Sequence, residues 1–224
     1  MGQMIEFTRA DGSVVPGYLA APESATAPGV VVLQEWWGLR APKSQMIEVC
    51  ERLAAAGYRA LAPDLYRGKE ADNAEDANKL LGSLAWGGAI QDVLGAVAFL
   101  KQNGSKAGIL GFCAGGALTI LSAVNAPEAD AAVCFYGIPP AEAADPSKLT
   151  RPFLGHFATH DDWCNAATVG QLETSLQAGA APFTLHRYDA QHAFCNEKRP
   201  DVYDAKSAQT AWDRTFTFLG KNLS

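Results

Sequence analysis

Six short apolar runs, bounded by turn residues and alternating with stretches of helical spacing, restrict what this chain can become. They are Gly29–Leu33, Tyr58–Ala62, Ala107–Gly111, Ala131–Tyr136, Phe153–Phe157 and Phe183–Tyr188. Near-continuous apolarity suits strands covered on both faces, and the alternation predicts βα units around a parallel sheet. Helices are expected at about Lys43–Ala56, Glu75–Leu81, Gly88–Gln102, Ala114–Ala123, Ala166–Ala178 and Ala205–Leu219. The last carries the clearest core-facing stripe: Ala208, Ala211, Trp212, Thr215, Phe216 and Leu219 share one helical face. Upstream, Met4–Thr8 and Val14–Leu19 flank an Asp11-Gly12 turn and read as a hairpin, with Pro16 pointing to an edge strand.

Two hairpin strands and six crossover strands make an α/β protein. The expected architecture is an α/β-hydrolase fold, a mostly parallel eight-stranded sheet with helices on both faces. No repeat or break in composition divides the 224 residues, so residues 1–224 are read as one domain. A chain of this size buries about 70% of its unfolded surface and can hold a core without disulfides or metals. The 18 basic against 24 acidic residues, net charge −6, give no basic face for nucleic acid or an anionic membrane. No apolar segment approaches the roughly 18 residues of a membrane span, and Met1–Arg9 lacks a secretory pattern. A cytoplasmic location follows as the expectation. The cysteines at 50, 113, 134, 164 and 195 are odd in number and form no CxxC pair, so they are read as free thiols.

One of those thiols stands out. Gly111-Phe112-Cys113-Ala114-Gly115 falls at a strand-to-helix junction, the pattern of a nucleophile elbow with cysteine in place of serine. Small flanking residues allow the sharp turn, and the following helix N-terminus favours thiolate. In such a plan the acid and the histidine follow later strands, in that order. Asp161 and Asp162 follow the seventh run and His192 follows the eighth. His192 would take the thiol proton, while the acid orients the ring. The loop after the third strand, Gln34-Glu35-Trp36-Trp37-Gly38, donates one oxyanion-hole N–H from Trp36; Ala114 donates the other. Glu35 would then lie near the sulfur. His156 and His186 lie within strands and read as core or sheet-surface residues. His156 and His160 do not converge on a metal, and no metal or other cofactor is expected.

These motifs together resemble the dienelactone hydrolase (carboxymethylenebutenolidase) family. The resemblance rests on Gln34-Glu35-x-x-Gly38, Gly111-x-Cys113-x-Gly115-Gly116, Tyr136-Gly137, the Asp161 loop and His192-x-Phe194, in family order along nearly the whole chain. It implies cofactor-free opening of an enol-lactone (a dienelactone) to an open-chain keto acid of the maleylacetate type, in the breakdown of aromatic compounds. It assigns Cys113 as nucleophile, His192 as base and Asp161, rather than Asp162, as the acid. Glu35 resembles the carboxylate that partners a neutral resting thiol and takes its proton when substrate arrives. Trp86, Tyr136 and Phe194 are the expected substrate-lining residues. The family's substrate-carboxylate arginines are not matched: Asn196 stands four residues past the histidine, which leaves Arg199, Arg67 and Arg40 as nearest candidates. A broader carboxylesterase or thioesterase acting on neutral acyl substrates therefore stays open. So does a non-catalytic redox sensor using Cys113 with Cys164 or Cys195. The expected partner is a small ester or lactone, and the expected state a monomer or weak dimer.

Overall fold

The computed structural model describes residues 2–126 and 128–224. Strand β1 (Gln3–Thr8) and β2 (Val14–Ala20) form the hairpin, and β3 (Gly29–Leu33) follows. Then come α1 (Met46–Ala55), β4 (Arg59–Pro63), α2 (Ala74–Gly82), α3 (Trp86–Lys101), β5 (Ala107–Phe112), α4 (Ala114–Asn125) and β6 (Ala131–Phe135). The chain closes with β7 (Phe153–His160), α5 (Ala166–Ala178), β8 (Phe183–Gln191) and α6 (Ala205–Leu223). All eight strands join one sheet in the order β1-β2-β4-β3-β5-β6-β7-β8. The β1/β2 and β2/β4 pairs are antiparallel and the others parallel. The α/β-hydrolase expectation is met. Among the described residues no single helix is long and apolar enough to cross a membrane.

Side-chain alternation along the central strands explains the two layers of helices. Val30 and Val32 of β3, with Leu110 and Phe112 of β5, join the core formed with α1 and α6. Val31, Leu33 and Ile109 join the opposite core with α3 and one side of α4. A third cluster places α5, through Val169, Leu172 and Leu176, against Phe153, Phe157 and Cys134. The α6 stripe behaves as its spacing predicts: Ala208, Ala211, Trp212, Thr215 and Leu219 are buried.

Two local expectations change. Strand β2 is not an edge: it lies between β1 and β4, and β1 is the edge. Pro16 is tolerated because its carbonyl accepts the Asp64 N–H at 2.8 Å, just beyond the last β2/β4 pair, Gly17 with Pro63. The missing Pro16 N–H faces that same side, where the ladder has ended. Strand β7 runs to His160, and its pairing with β8 shifts register between Ala158 and His160. That irregularity sets where the next residue, Asp161, leaves the sheet.

Candidate active site

The strands β3, β5, β6, β7 and β8 deliver their following loops to one end of the sheet, the end where ligands bind in open α/β folds. Cys113 caps α4 with φ 55° and ψ −118°, outside the ordinary regions for an L-residue. The elbow is held by three close backbone approaches. A Cβ on Gly111 would lie 2.1 Å from the Gly115 carbonyl oxygen, and one on Gly115 would lie 2.3 Å from that of Leu33. A Cβ on Gly137 would lie 2.1 Å from the carbonyl oxygen of Cys113. The Cys113 N–H donates to Phe135 at 3.0 Å, tying the elbow to β6.

His192 directly follows β8. Its Nδ1 donates to Asp161 Oδ2 at 2.7 Å, whereas Asp162 is exposed. The other carboxylate oxygen, Oδ1, accepts the N–H groups of Trp163 (2.8 Å) and Cys164 (2.9 Å). Burial raises the Asp161 carboxyl, but the His192 hydrogen bond and charge and the two backbone donors outweigh it, leaving the group below its ordinary value. His192 Nε2 has no hydrogen-bond partner among the described residues. Trp163 tilts over the imidazole at 5.6 Å, and Tyr136 meets it edge-on at 5.1 Å.

Cys113 and His192 line one cleft of about 170 Å³ with Glu35, Trp36, Trp37, Trp163, Ala193 and Arg199. The thiol is not activated by the helix terminus. Burial pushes its ionisation well up and Glu35 adds to this, while the Ala114 N–H opposes both. A helix terminus contributes about 0.3–2 kcal/mol, whereas desolvating a charge costs several kcal/mol, so burial wins. Burial also lifts Glu35 to about 8, against the opposing Asn196 hydrogen bond, the Arg199 charge and Tyr136. The resting pair is therefore a neutral thiol beside a carboxyl that is protonated through most of the neutral range.

Sequence reasoning treated Asn196 only as a missing arginine. It is fully buried, and its Nδ2 donates to Glu35 Oε2 at 2.5 Å and to the Lys43 carbonyl at 2.9 Å. Trp163 was also passed over as a site residue. Of the expected binding residues, Arg199 lines the cleft. Arg67 does not: its Nη2 grips buried Asp92 at 2.8 and 2.9 Å in a separate depression shared with Arg9. Arg40 pairs with Glu70 at 3.4 Å. Tyr136 and Phe194 are fully buried and meet edge-on at 5.5 Å beneath the cleft, where they support rather than line it. Trp86 lines a neighbouring cavity. His156 is a core residue as expected, bonded to Tyr188 Oη (2.7 Å) and Thr215 Oγ1 (3.0 Å).

Residues 15–223 match the family model described as the dienelactone hydrolase family. Over the full length of both chains the sequence is 38% identical to "Protein usf" of Aquifex pyrophilus. It is 37% identical to the "Putative carboxymethylenebutenolidase" of Aquifex aeolicus (strain VF5), over 98% of each chain. A solved Klebsiella pneumoniae structure titled as a "Putative Dienelactone Hydrolase" superposes with a TM-score of 0.82 at 27% identity, over 98% of this chain and 99% of that one.

Proposed function

The chain belongs to the dienelactone hydrolase family and is a hydrolase of ester or lactone bonds; from that premise we propose that it opens a small enol-lactone or ester through a Cys113–His192–Asp161 triad and a thioester intermediate. The observation that carries the reading is the 2.7 Å Asp161–His192 pair, whose imidazole shares one cleft with the Cys113 thiol.

The steps follow from the groups present. His192 Nε2 takes the Cys113 proton, and Asp161 stabilises the resulting imidazolium through Nδ1–H. The thiolate attacks the carbonyl carbon, and the oxyanion lies between the Trp36 and Ala114 N–H groups. Collapse breaks the carbonyl–oxygen bond, the departing enolate or alkoxide takes the proton from His192, and the acyl group stays on sulfur. Water, deprotonated by His192, then attacks the thioester and releases carboxylate and thiol. A lactone yields one open-chain product; an ester yields an acid and an alcohol. Glu35, while protonated, places no negative charge beside the sulfur and so does not oppose thiolate formation. Above about 8 it ionises and becomes a second proton acceptor.

Asn196 favours a second reading on substrate range. An asparagine committed to Glu35 cannot give a substrate carboxylate the bidentate grip of arginine, which supports neutral esters beside anionic lactones. The redox-sensor reading has less support: Cys113, Cys164 and Cys195 are all buried, and burial first raises the ionisation of each thiol. Turnover of cis- and trans-dienelactone and of a neutral aryl ester, compared between the wild type and Cys113→Ala, tests the proposal. Activity lost in the variant is expected; hydrolysis that survives it overturns the cysteine mechanism.

A further inference from the structure

Beyond Trp163 lies a second cavity, of about 460 Å³ against about 170 Å³ for the cleft itself. Trp163 lines both. Among the described residues, Met4, Val14 and Trp163 are the exposed large hydrophobics, and Trp163, 46% exposed, is the aromatic one. The second cavity is close to the reacting groups: Ala117, on its wall, sits one turn along α4 from Cys113 and donates its N–H to the Cys113 carbonyl at 3.1 Å. Its other walls include Trp86, Ile138, Pro140, Ala144 and Leu172. Asp145, Thr168, Gln171 and Ser175 add polar groups, and among the described residues no cationic side chain lines it.

The cations lie on the other flank. Lys43 stands over the Trp37 ring at 4.9 Å and Arg199 at 6.0 Å. Both line a hollow that shares Trp36, Trp37 and Arg199 with the cleft. Cys113 and His192 therefore work between a largely apolar chamber and a cationic rim. An open apolar concavity in water is unfavourable unless something fills it, and volumes of roughly 300–1,000 Å³ suit small organic ligands.

We propose that the cavity beyond Trp163 is a substrate subsite for an uncharged aryl or alkyl arm on the ester or lactone that Cys113 attacks, with Trp163 the partition that admits it. The proposal rests on the hydrolase reading above and names its substrate class: molecules with an apolar arm on the α4–α5 side of the scissile bond. Anionic groups belong toward Lys43 and Arg199, since no cation in the chamber would replace their hydration and Asp145 on its wall would repel them.

Four uncharged esters test it by pH-stat: trifluoroethyl acetate and propyl acetate carry no phenyl arm, trifluoroethyl 4-phenylbutanoate carries one on the acyl side and 3-phenylpropyl acetate one on the alcohol side. Trifluoroethyl 4-phenylbutanoate is compared with trifluoroethyl acetate, and 3-phenylpropyl acetate with propyl acetate, whose leaving group matches its own, in the wild type and in two filling variants, Ala141→Trp and Gln171→Trp. Both positions line the chamber but are exposed, so neither substitution asks the core to repack. At least one phenyl ester is expected to exceed its matched acetate in kcat/KM by about tenfold in the wild type. That ratio should fall to within about threefold in both variants. A wild type that prefers neither phenyl ester, or a preference that survives both variants, overturns the subsite. If none of the four esters is hydrolysed, the hydrolase reading falls and the subsite is decided by calorimetry with 4-phenylbutanol. Saturable binding lost in Gln171→Trp upholds it; binding that is absent, or that survives Gln171→Trp, overturns it.

Discussion

Asn196 holds Glu35: its Nδ2 donates to Glu35 Oε2 at 2.5 Å across 161 positions of sequence, and the same nitrogen is bonded to the Lys43 carbonyl. One side chain thus fixes the carboxyl facing the thiol and ties the loop after β3 to the loop after β8. The opposite carboxyl oxygen, Oε1, has no hydrogen-bond partner among the described residues.

Replacing the clamp should be felt in stability and in proton affinity together. Asn196→Leu strips donors from Glu35 Oε2 and Lys43 O, and is expected to destabilise the protein by about 1–3 kcal/mol in urea unfolding at neutral pH. Because the Asn196 hydrogen bond lowers the Glu35 carboxyl, its loss should also raise the Glu35 titration above about 8. The pH profile of Cys113 alkylation reads that upward movement; an unmoved profile would remove Asn196 from the proton inventory.

Glu35 itself makes a signed prediction. Its carboxyl rises from 4.5 to about 8 on folding, so between those values the native state binds the extra proton. The contribution is fully present below about 4.5 and is lost as pH rises through about 8. Relative to Glu35→Gln, the wild type should therefore lose stability across that window, by on the order of 5 kcal/mol at roughly 1.4 kcal/mol per pKa unit. The neutral amide should also move the Cys113 alkylation midpoint to lower pH, because it never opposes the thiolate. Paired denaturant titrations at several pH values check the first effect. Iodoacetamide kinetics check the second.

The two arginines near the substrate question should part company. Arg199→Met should raise KM for an anionic lactone by about tenfold, the equivalent of about 1.4 kcal/mol, with little change for a neutral ester. Arg67→Met should leave both KM values in place. It removes one of two guanidinium partners from buried Asp92, and should lower stability by about 1–3 kcal/mol because Arg9 Nη1 remains at 3.2 Å. Steady-state kinetics on both substrates, beside unfolding curves, separate the two.

The sheet was legible because apolar runs report burial on both faces, and burial is what makes a parallel strand. Where burial stops, the signal stops: β7 continues through Thr159 and His160, which are exposed, so the apolar run ended at Phe157. Cys113 and His192 were legible because each sits at a fixed distance from a strand end, and the elbow carries its glycines in sequence. Asp161 could be told from Asp162 only by the family likeness, since orientation at a strand exit is a matter of pairing register. Asn196 could not be read as a clamp, because its partner is set by two loops meeting in space. Trp86 and Arg67 show the converse. Nearness in sequence to expected pocket segments put them on the substrate list, and the structure gives one to the neighbouring chamber and the other to Asp92.

Among the described residues, three of the four non-glycine residues with positive φ gather at one end of the sheet: Cys113 (55°), Tyr136 (39°) and Ala193 (66°), at the exits of β5, β6 and β8. Each such conformation costs about 1–3 kcal/mol, and the buried middle of the sheet offsets that strain. All three are buried, so the packing around the strand exits is what holds the strained backbone in place. On heating, those exits can relax while the strands behind them stay paired. Heating is therefore expected to disarm the molecule before it melts it, with hydrolysis lost at a lower temperature than the far-ultraviolet signal of the sheet.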